Sequence, residues 1–181
     1  MKRSKLAGLV AVTATLVATV AAPASAGSVR VVDGDDSTML ADIHRVRVTH
    51  TEKWVRVRIR FDDLAGSGLR RTQALSIFLD TDAARTGPEY RFQTGLNRGT
   101  DYRLHKVKSW GAPGRHVDDC GYRLKIDWTR DLATLAVPRA CLKDPAKVAA
   151  AVKAVEWNNK GTKKVDWMTA RRAFSPAVAA G

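Results

Sequence analysis

The segment VRVRIRF at residues 55–61 alternates apolar and basic side chains without interruption. This is the period of a β-strand that has one buried face and one solvated face. The residues assigned to the core are Val55, Val57, Ile59 and Phe61. The residues assigned to the solvated face are Arg56, Arg58 and Arg60. The segment therefore constrains the chain to build a sheet with water on one side.

Similar segments recur along the chain and predict an all-β fold. Residues 43–50 continue the alternation, and the short link at 51–53 is typical of a hairpin. The apolar run at 74–80 suits a central strand that is covered on both faces. Further strands are expected at 90–95, 101–110, 122–128 and 132–138. The pattern is typical of an antiparallel, jelly-roll-like β-sandwich, and we expect a short helical turn at 138–145.

Residues 145–157 support two interpretations. An Asp-Pro step followed by alanines favours a helix. Alternation of Val148, Ala150, Val152 and Ala154 favours a strand. Because the rest of the chain has strand periodicity, we prefer the strand.

The first 26 residues have the pattern of a secretory signal peptide. Basic residues at the start precede an apolar segment that ends in small residues, including Ala24 and Ala26. A membrane anchor is the alternative, but the apolar run is short for a span of about 20 residues. We expect cleavage after Ala26, leaving residues 27–181 as a single monomeric domain with no membrane span. The expected location is extracellular or cell-wall associated.

The expected mature chain is basic and contains two cysteines. Without the signal peptide it has 28 Lys and Arg against 18 Asp and Glu, a net charge of +10. A cationic secreted protein adheres to anionic polymers, although an arginine-rich composition alone gives the same charge. Cys120 and Cys141 allow one intramolecular pairing, so a single structural disulfide is expected.

The segment FLDTDAARTGPEY, residues 78–90, is the first candidate metal site. Calcium prefers six to eight oxygen ligands, and Asp80, Asp82 and Glu89 supply three carboxylates. The early acidic residues form a second cluster; they are Asp33, Asp35, Asp36 and Asp42. The loop is not an EF-hand, because its spacing does not fit. The alternative is an ordinary turn, since Asp and Gly are common turn residues.

Two further surfaces are candidates for ligand binding. If residues 43–61 form a hairpin, five arginines share one face and form a platform for polyanions: Arg45, Arg47, Arg56, Arg58 and Arg60. Arg123 and Lys125 extend this face if their strand joins the same sheet. Trp110 and Trp157 lie beside turn-rich loops and are candidates for stacking on sugar rings. The alternatives are a solvated outer face and tryptophans that cap the core.

The sequence contains no motif for nucleophilic catalysis. There is no G-x-S-x-G segment, and the four histidines lack metal-type spacing. A carboxylate pair within Asp80, Asp82 and Glu89 leaves a secreted hydrolase of wall polymers as the alternative function. No nucleotide-binding signature is present.

Four segments together resemble a group of small secreted actinobacterial proteins of unassigned activity: FLDTDAARTGPEY, GTDYRLHKVKSW, LAVPRACLKDP and DWMTARRAFSP. The resemblance covers nearly all of residues 27–181. More remotely, VVDGDD, the paired strands and FLDTD resemble the jelly-roll sandwiches of carbohydrate-binding family 9 and the DOMON group. That wider group binds sugars or haem, and some members hold structural calcium. The resemblance implies calcium at Asp80 and Asp82 with the early aspartates. The resemblance does not imply haem binding here, because the candidate methionine ligands, Met39 and Met168, have no convincing partner ligand.

Together, these features predict a secreted, non-catalytic binding module for carbohydrate or an anionic wall polymer, braced by calcium. A secreted hydrolase and a purely electrostatic adhesion or structural protein are the alternatives. Specific nucleic-acid binding is not expected, because the aromatic residues mostly alternate inward.

Overall fold

The computed structural model of the chain describes residues 27–64 and 72–181, which form two antiparallel sheets packed face to face. The all-β sandwich expected from the sequence is confirmed. The predicted signal peptide, residues 1–26, lies outside the described residues. Within the described ranges, no helix has both the length and the apolar character needed to cross a membrane.

The first sheet has five strands in the order β1-β2-β3-β9-β8. The bounds are Gly27–Val32 for β1, Ile43–His50 for β2, Trp54–Phe61 for β3, Arg123–Asp127 for β8 and Leu132–Pro138 for β9. From Arg45 to Arg60, the β2–β3 hairpin has the register that the alternation of the two segments requires. It brings the basic positions of the two strands to one surface.

The second sheet has the order β11-β10-β4-β5-β6-β7, and β12 pairs with the first two residues of β10. The bounds are Thr72–Asp80 for β4, Tyr90–Gly95 for β5, Tyr102–Lys106 for β6, Arg115–His116 for β7, Lys147–Trp157 for β10, Lys163–Trp167 for β11 and Val178–Ala179 for β12. β4 is central, between β10 and β5, as its continuous apolar run indicates.

The core lies between the sheets and is built from alternate residues of each strand. On β3 the inward side chains are at most 1% exposed; they are Val55, Val57, Ile59 and Phe61. On β4, Ile77 and Leu79 point into the same core. Phe78, which lies between them, therefore projects from the opposite, outer surface of the second sheet.

Residues 147–157 form a strand, which settles the ambiguity in favour of the alternation. β10 pairs with β4 over nine residues, from Ala149–Asp80 to Trp157–Thr72. Its alanines suit this position because they leave room for neighbouring aromatic rings. Ala151, for example, lies opposite Phe78 in the ladder. The expected helical turn is also present, as a 3₁₀ helix at Arg139–Leu142.

The expected disulfide between Cys120 and Cys141 is confirmed. Cys120 lies in the loop between β7 and β8, which passes from the second sheet to the first. Cys141 lies in the 3₁₀ helix that follows β9. The bond therefore ties the crossing loop to the segment that leaves the first sheet.

Candidate functional site

The outer surface of the first sheet carries eight exposed basic side chains, which we call the arginine face. The register places Arg47 of β2 between Arg30 of β1 and Arg58 of β3. Arg45 lies opposite Arg60 in the same ladder. The full set is Arg30, Arg45, Arg47, Arg56, Arg58, Arg60, Arg123 and Lys125. The arginines singled out in the sequence thus share one surface, and β8 extends it.

Few carboxylates compensate the charge of the arginine face. Within residues 27–64 and 72–181, only Arg60 of this set has a carboxylate within ion-pair distance, Asp131 at 3.8 Å. The one acidic residue beside Lys125 on β8, Asp127, instead contacts Arg130 at 4.0 Å. Like charges directly opposite one another on a ladder destabilise the sheet by a fraction of a kcal/mol. The face is therefore a positive array that an external anion can neutralise.

Two shallow grooves run across the arginine face. One has a volume of about 290 Å³ and lies among the side chains of β1, β2 and β3. The other has a volume of about 410 Å³ and continues towards Lys125 and Thr134. Arg47, Arg58 and Leu132 line both grooves, so the two adjoin. Their shape suits an extended ligand that lies along the surface.

Trp54 adds an aromatic ring to one end of the arginine face, and the sequence analysis did not identify it. Arg123 and Arg56 have their guanidinium carbons 4.8 and 5.6 Å from the ring centroid. Trp54 is half-buried and, two residues before Arg56, lies on the same face of β3. Extending the alternation at 55–61 by one residue would have placed it among the arginines.

The second sheet carries a cluster of aromatic rings on its outer surface. Trp110, from the loop after β6, packs against Phe78 and Phe174 with ring centroids 4.9 and 4.8 Å apart. Trp167 of β11 stacks on Phe78 at 5.7 Å. Trp157 lies apart from this cluster, with the Lys163 ammonium 5.9 Å from its ring. Of the two tryptophans proposed for sugar stacking, only Trp110 belongs to the cluster.

Beside these rings is a cavity of about 500 Å³, which we call the aromatic pocket. Four cations line it, and no carboxylate does within the described ranges: Lys153, Lys163, Arg171 and Arg172. The Lys153 ammonium lies 5.7 Å from the Trp167 ring centroid. Burial, followed by the charges of Lys163, Arg91 and Arg172, lowers the pKa of Lys153. The pocket thus combines flat apolar rings with uncompensated positive charge.

The carboxylates of the loop at 80–89 are used within the loop itself. Asp80 Oδ1 accepts a hydrogen bond from Asp82 N at 3.1 Å, and Asp82 Oδ1 accepts one from Ala84 N at 3.1 Å. Glu89 Oε2 accepts from Thr81 N at 2.8 Å, whereas Glu89 Oε1 lies 3.5 Å from Arg85 and has no hydrogen-bond partner among the described residues. Within the described residues, these three carboxylates do not come together in a three-ligand group. They hold the shape of the turn.

The early aspartates meet a partner from the other sheet, in a cluster we call the acidic crevice. Carboxylate oxygens of Asp36, Asp42 and Asp166 lie within 4.8 Å of one another. Ligand atoms of Asp35, Asp42 and His44 form a second such group, which shares Asp42. Asp166 is not predicted from the sequence, because its strand, β11, lies more than a hundred residues from the early aspartates.

A β-bulge places Asp42 in the acidic crevice. The β2–β3 register shifts between Ile43 and Arg45, so His44 is the extra residue. Ile43 N donates a hydrogen bond to Asp166 Oδ2 at 2.8 Å, which attaches the start of β2 to β11. Of the predicted ligands, Asp35 belongs to one group and Asp33 to neither. Asp33 Oδ1 instead accepts from Gly34 N at 3.2 Å.

Two carboxylates of the acidic crevice, those of Asp42 and Asp166, have raised pKa values. Burial, followed by the charges of Asp166 and Asp36, raises the pKa of Asp42 to about 6. Burial also raises the pKa of Asp166 to about 6, with the charges of Asp33 and Asp36 adding to the effect. Burial is the first cause of both shifts, and the charges of neighbouring carboxylates add to it.

A third concave surface, which we call the basic cleft, lies beside the disulfide and has a volume of about 900 Å³. Its basic lining residues are Arg85, Lys106, Lys108, Arg115 and Lys143. Two of them, Lys106 of β6 and Arg115 of β7, are register neighbours, and the other three lie in connecting segments rather than on adjacent strands. The basic cleft is therefore a reference surface with similar charge but different geometry.

We compared the chain with protein-family models and with curated proteins, and neither comparison gives a match.

Proposed function

We propose that this protein is a non-catalytic binding module that holds an anionic wall polymer on the arginine face. The observation that carries the proposal is the row Arg30–Arg47–Arg58, three register neighbours on three strands. None of the three has a carboxylate partner among the described residues. A polymer with repeating phosphate or carboxylate groups supplies the missing negative charge.

The chemistry of arginine supports a polymer ligand. Each guanidinium presents a planar fork of donors that matches a phosphate or a carboxylate. Five strands about 4.8 Å apart spread these forks over roughly 19 Å across the sheet. An array of this width contacts several repeats of a chain at once, whereas a small anion would occupy a single position. The disulfide fits a protein that works in an oxidising compartment outside the cytoplasm.

The experiment is binding of the protein to immobilised teichoic acid or acidic polysaccharide at increasing salt. Because exposed charges are screened within a few ångströms at about 0.5 M salt, binding through the arginine face should weaken steeply. A triple variant of the central arginines should reduce affinity by about tenfold or more at low salt. Its substitutions are Arg45→Gln, Arg47→Gln and Arg58→Gln.

The matched control removes the same charge from the basic cleft. Its substitutions are Lys106→Gln, Lys108→Gln and Lys143→Gln. This variant should retain most of the affinity, since its net charge equals that of the arginine-face variant. Equal losses in the two variants would mean that net charge alone drives adhesion, and the proposal would then be wrong.

A second candidate function, carbohydrate binding, is favoured by the aromatic pocket. Trp110 and Trp167 line the pocket with Lys153 and Arg172, and tryptophan is a residue that stacks on pyranose rings. The ligand class that fits is a sugar residue with an acidic substituent. Tryptophan fluorescence titration with oligouronides tests this, with Trp110→Ala as the variant and Trp157→Ala as the control. Binding that persists at about 0.5 M salt and is lost only in Trp110→Ala supports the pocket.

A further inference from the structure

The acidic crevice contains a buried carboxylate without a hydrogen-bond partner. Asp42 is 1% exposed, and neither of its oxygens has such a partner among the described residues. The nearest side-chain nitrogen, His44 Nε2, lies 3.5 Å from Asp42 Oδ2 and makes no hydrogen bond with it. Buried carboxylates are normally hydrogen-bonded, paired with a cation or bound to a metal. Asp42 therefore lacks the partner that its burial requires.

The side chains around Asp42 add further negative charge that has no cation to balance it within the described residues. Asp36 and Asp166 bring carboxylate oxygens within 4.8 Å of it, so three acidic groups converge. Lys164 of β11 is engaged elsewhere, because its ammonium donates to Thr38 Oγ1 at 2.6 Å. His44 is charged only when protonated. At neutral pH, a bound cation is the group that balances this arrangement.

We propose that Asp36, Asp42 and Asp166 bind a calcium ion. All three ligands are oxygens, which is the preference of a hard divalent cation. Asp36 belongs to the loop between β1 and β2, where backbone carbonyls can complete the larger coordination shell of calcium. Three converging carboxylates favour calcium over magnesium, which keeps several waters and is usually bound through one or two carboxylates.

The ion would join the two sheets of the sandwich. Asp42 immediately precedes β2 in the first sheet, whereas Asp166 belongs to β11 at the edge of the second. The link would reinforce the hydrogen bond from Ile43 N to Asp166, which already connects these strands. Calcium binding should therefore stabilise the whole sandwich and not only the loop. This proposal does not depend on the arginine face.

The test is thermal unfolding of the purified protein after EDTA treatment, with and without millimolar calcium. A ligand bound only by the native state stabilises it, so calcium should raise the melting temperature by about 5 °C or more. Asp42→Asn should abolish this shift. It should also melt at the same or a higher temperature than the wild type in EDTA, because it removes a buried, repelled charge. A variant that simply folded badly would melt lower in EDTA.

The matched control is Asp82→Asn, in the other acidic loop, and it should retain the calcium shift. Loss of the shift in Asp82→Asn but not in Asp42→Asn would overturn the assignment. An unchanged wild-type melting temperature at millimolar calcium would overturn it as well. A larger shift with zinc than with calcium would also contradict it, since that order indicates a site that includes His44. Isothermal titration calorimetry should detect a single calcium ion per wild-type molecule and none in Asp42→Asn.

Discussion

Arg47 of β2 and Arg58 of β3 lie directly opposite each other in the ladder, and both side chains are exposed. The two positive charges repel each other, and water and salt relieve this repulsion only partly. The free protein is therefore less stable than it would be with neutral residues at these positions. The polyanion proposed for the arginine face would remove this repulsion on binding, so the residues that lower stability are the ones expected to favour the ligand.

The first prediction is that Arg58→Thr stabilises the free protein and weakens polymer binding. Threonine suits a strand, and Thr134 is already the β9 neighbour of this position. At low salt, the free energy of unfolding in urea should rise by about 0.5 kcal/mol. The gain should disappear at about 0.5 M salt, where the repulsion is screened.

Lys160→Thr is the control for this prediction, because it removes one charge from the exposed loop between β10 and β11. It should leave stability and polymer binding nearly unchanged. Equal stability of Arg58→Thr and the wild type at low salt would show that the arginines do not repel one another appreciably.

The second prediction concerns the disulfide. Replacing Cys120 and Cys141 with serine together should lower the free energy of unfolding by about 3 kcal/mol, since the bond closes a loop of about 20 residues. Urea unfolding followed by tryptophan fluorescence measures this loss. The reduced wild type should match the double variant. A loss below about 1 kcal/mol would contradict this loop-closure account of the bond's contribution.

The third prediction is a pH dependence carried by Lys153. Its pKa is lowered in the folded state, so between that value and the ordinary 10.5 the unfolded chain binds more protons. Below the lowered pKa, Lys153 is charged in both states, and its burial destabilises the folded state by the full amount. This destabilisation decreases as the pH rises and is lost above 10.5, where Lys153 is neutral in both states. The free energy of unfolding should therefore rise with pH across this interval.

Lys153→Met isolates this contribution. The variant should be more stable than the wild type at neutral pH, and the difference should shrink as the pH rises through the interval. Urea unfolding at several pH values measures both curves, with Lys160→Met as the control. A constant difference between Lys153→Met and the wild type would contradict the lowered pKa.

The fourth prediction compares two glycines that have left-handed backbone angles. Gly87 has a φ of +93°, and a Cβ there would meet Trp110 Nε1 at 3.3 Å. Gly99 has a φ of +77°, and a Cβ there would meet nothing within 4 Å. Alanine at either position should destabilise the fold by about 1–2 kcal/mol through backbone strain. Only Gly87→Ala should also displace Trp110 and change the tryptophan emission spectrum. Identical spectra for the two variants would show that Trp110 does not rest on this turn.

The strands and the arginine face could be predicted from the sequence because both depend on local signals. A period of two assigns the faces of β2 and β3, and a short loop fixes the hairpin between them. Residues 147–157 were ambiguous because their alanines favour helix locally. The long pairing with β4 decides the outcome, and pairing between distant segments is not visible in local propensity.

The acidic crevice and the aromatic pocket depend on tertiary contacts, so the sequence revealed only parts of them. The early aspartates were recognised, but nothing local indicates that Asp166 reaches them. Phe78 was counted as one residue of a buried strand, and its contacts with Trp110 and Trp167 follow from strand order. At 80–89 the acidic pattern predicts a ligand set, and the structure adds that one oxygen of each carboxylate accepts a hydrogen bond within the turn.

The arginine face and the aromatic pocket lie on opposite outer surfaces of the sandwich, one on each sheet. A polymer strand lying along one surface does not reach the other without passing around an edge. A molecule that uses both surfaces is therefore a cross-linker that joins two strands. Mixtures with a long polymer would be most turbid at intermediate ratios and would clear in excess protein, when each strand is coated separately.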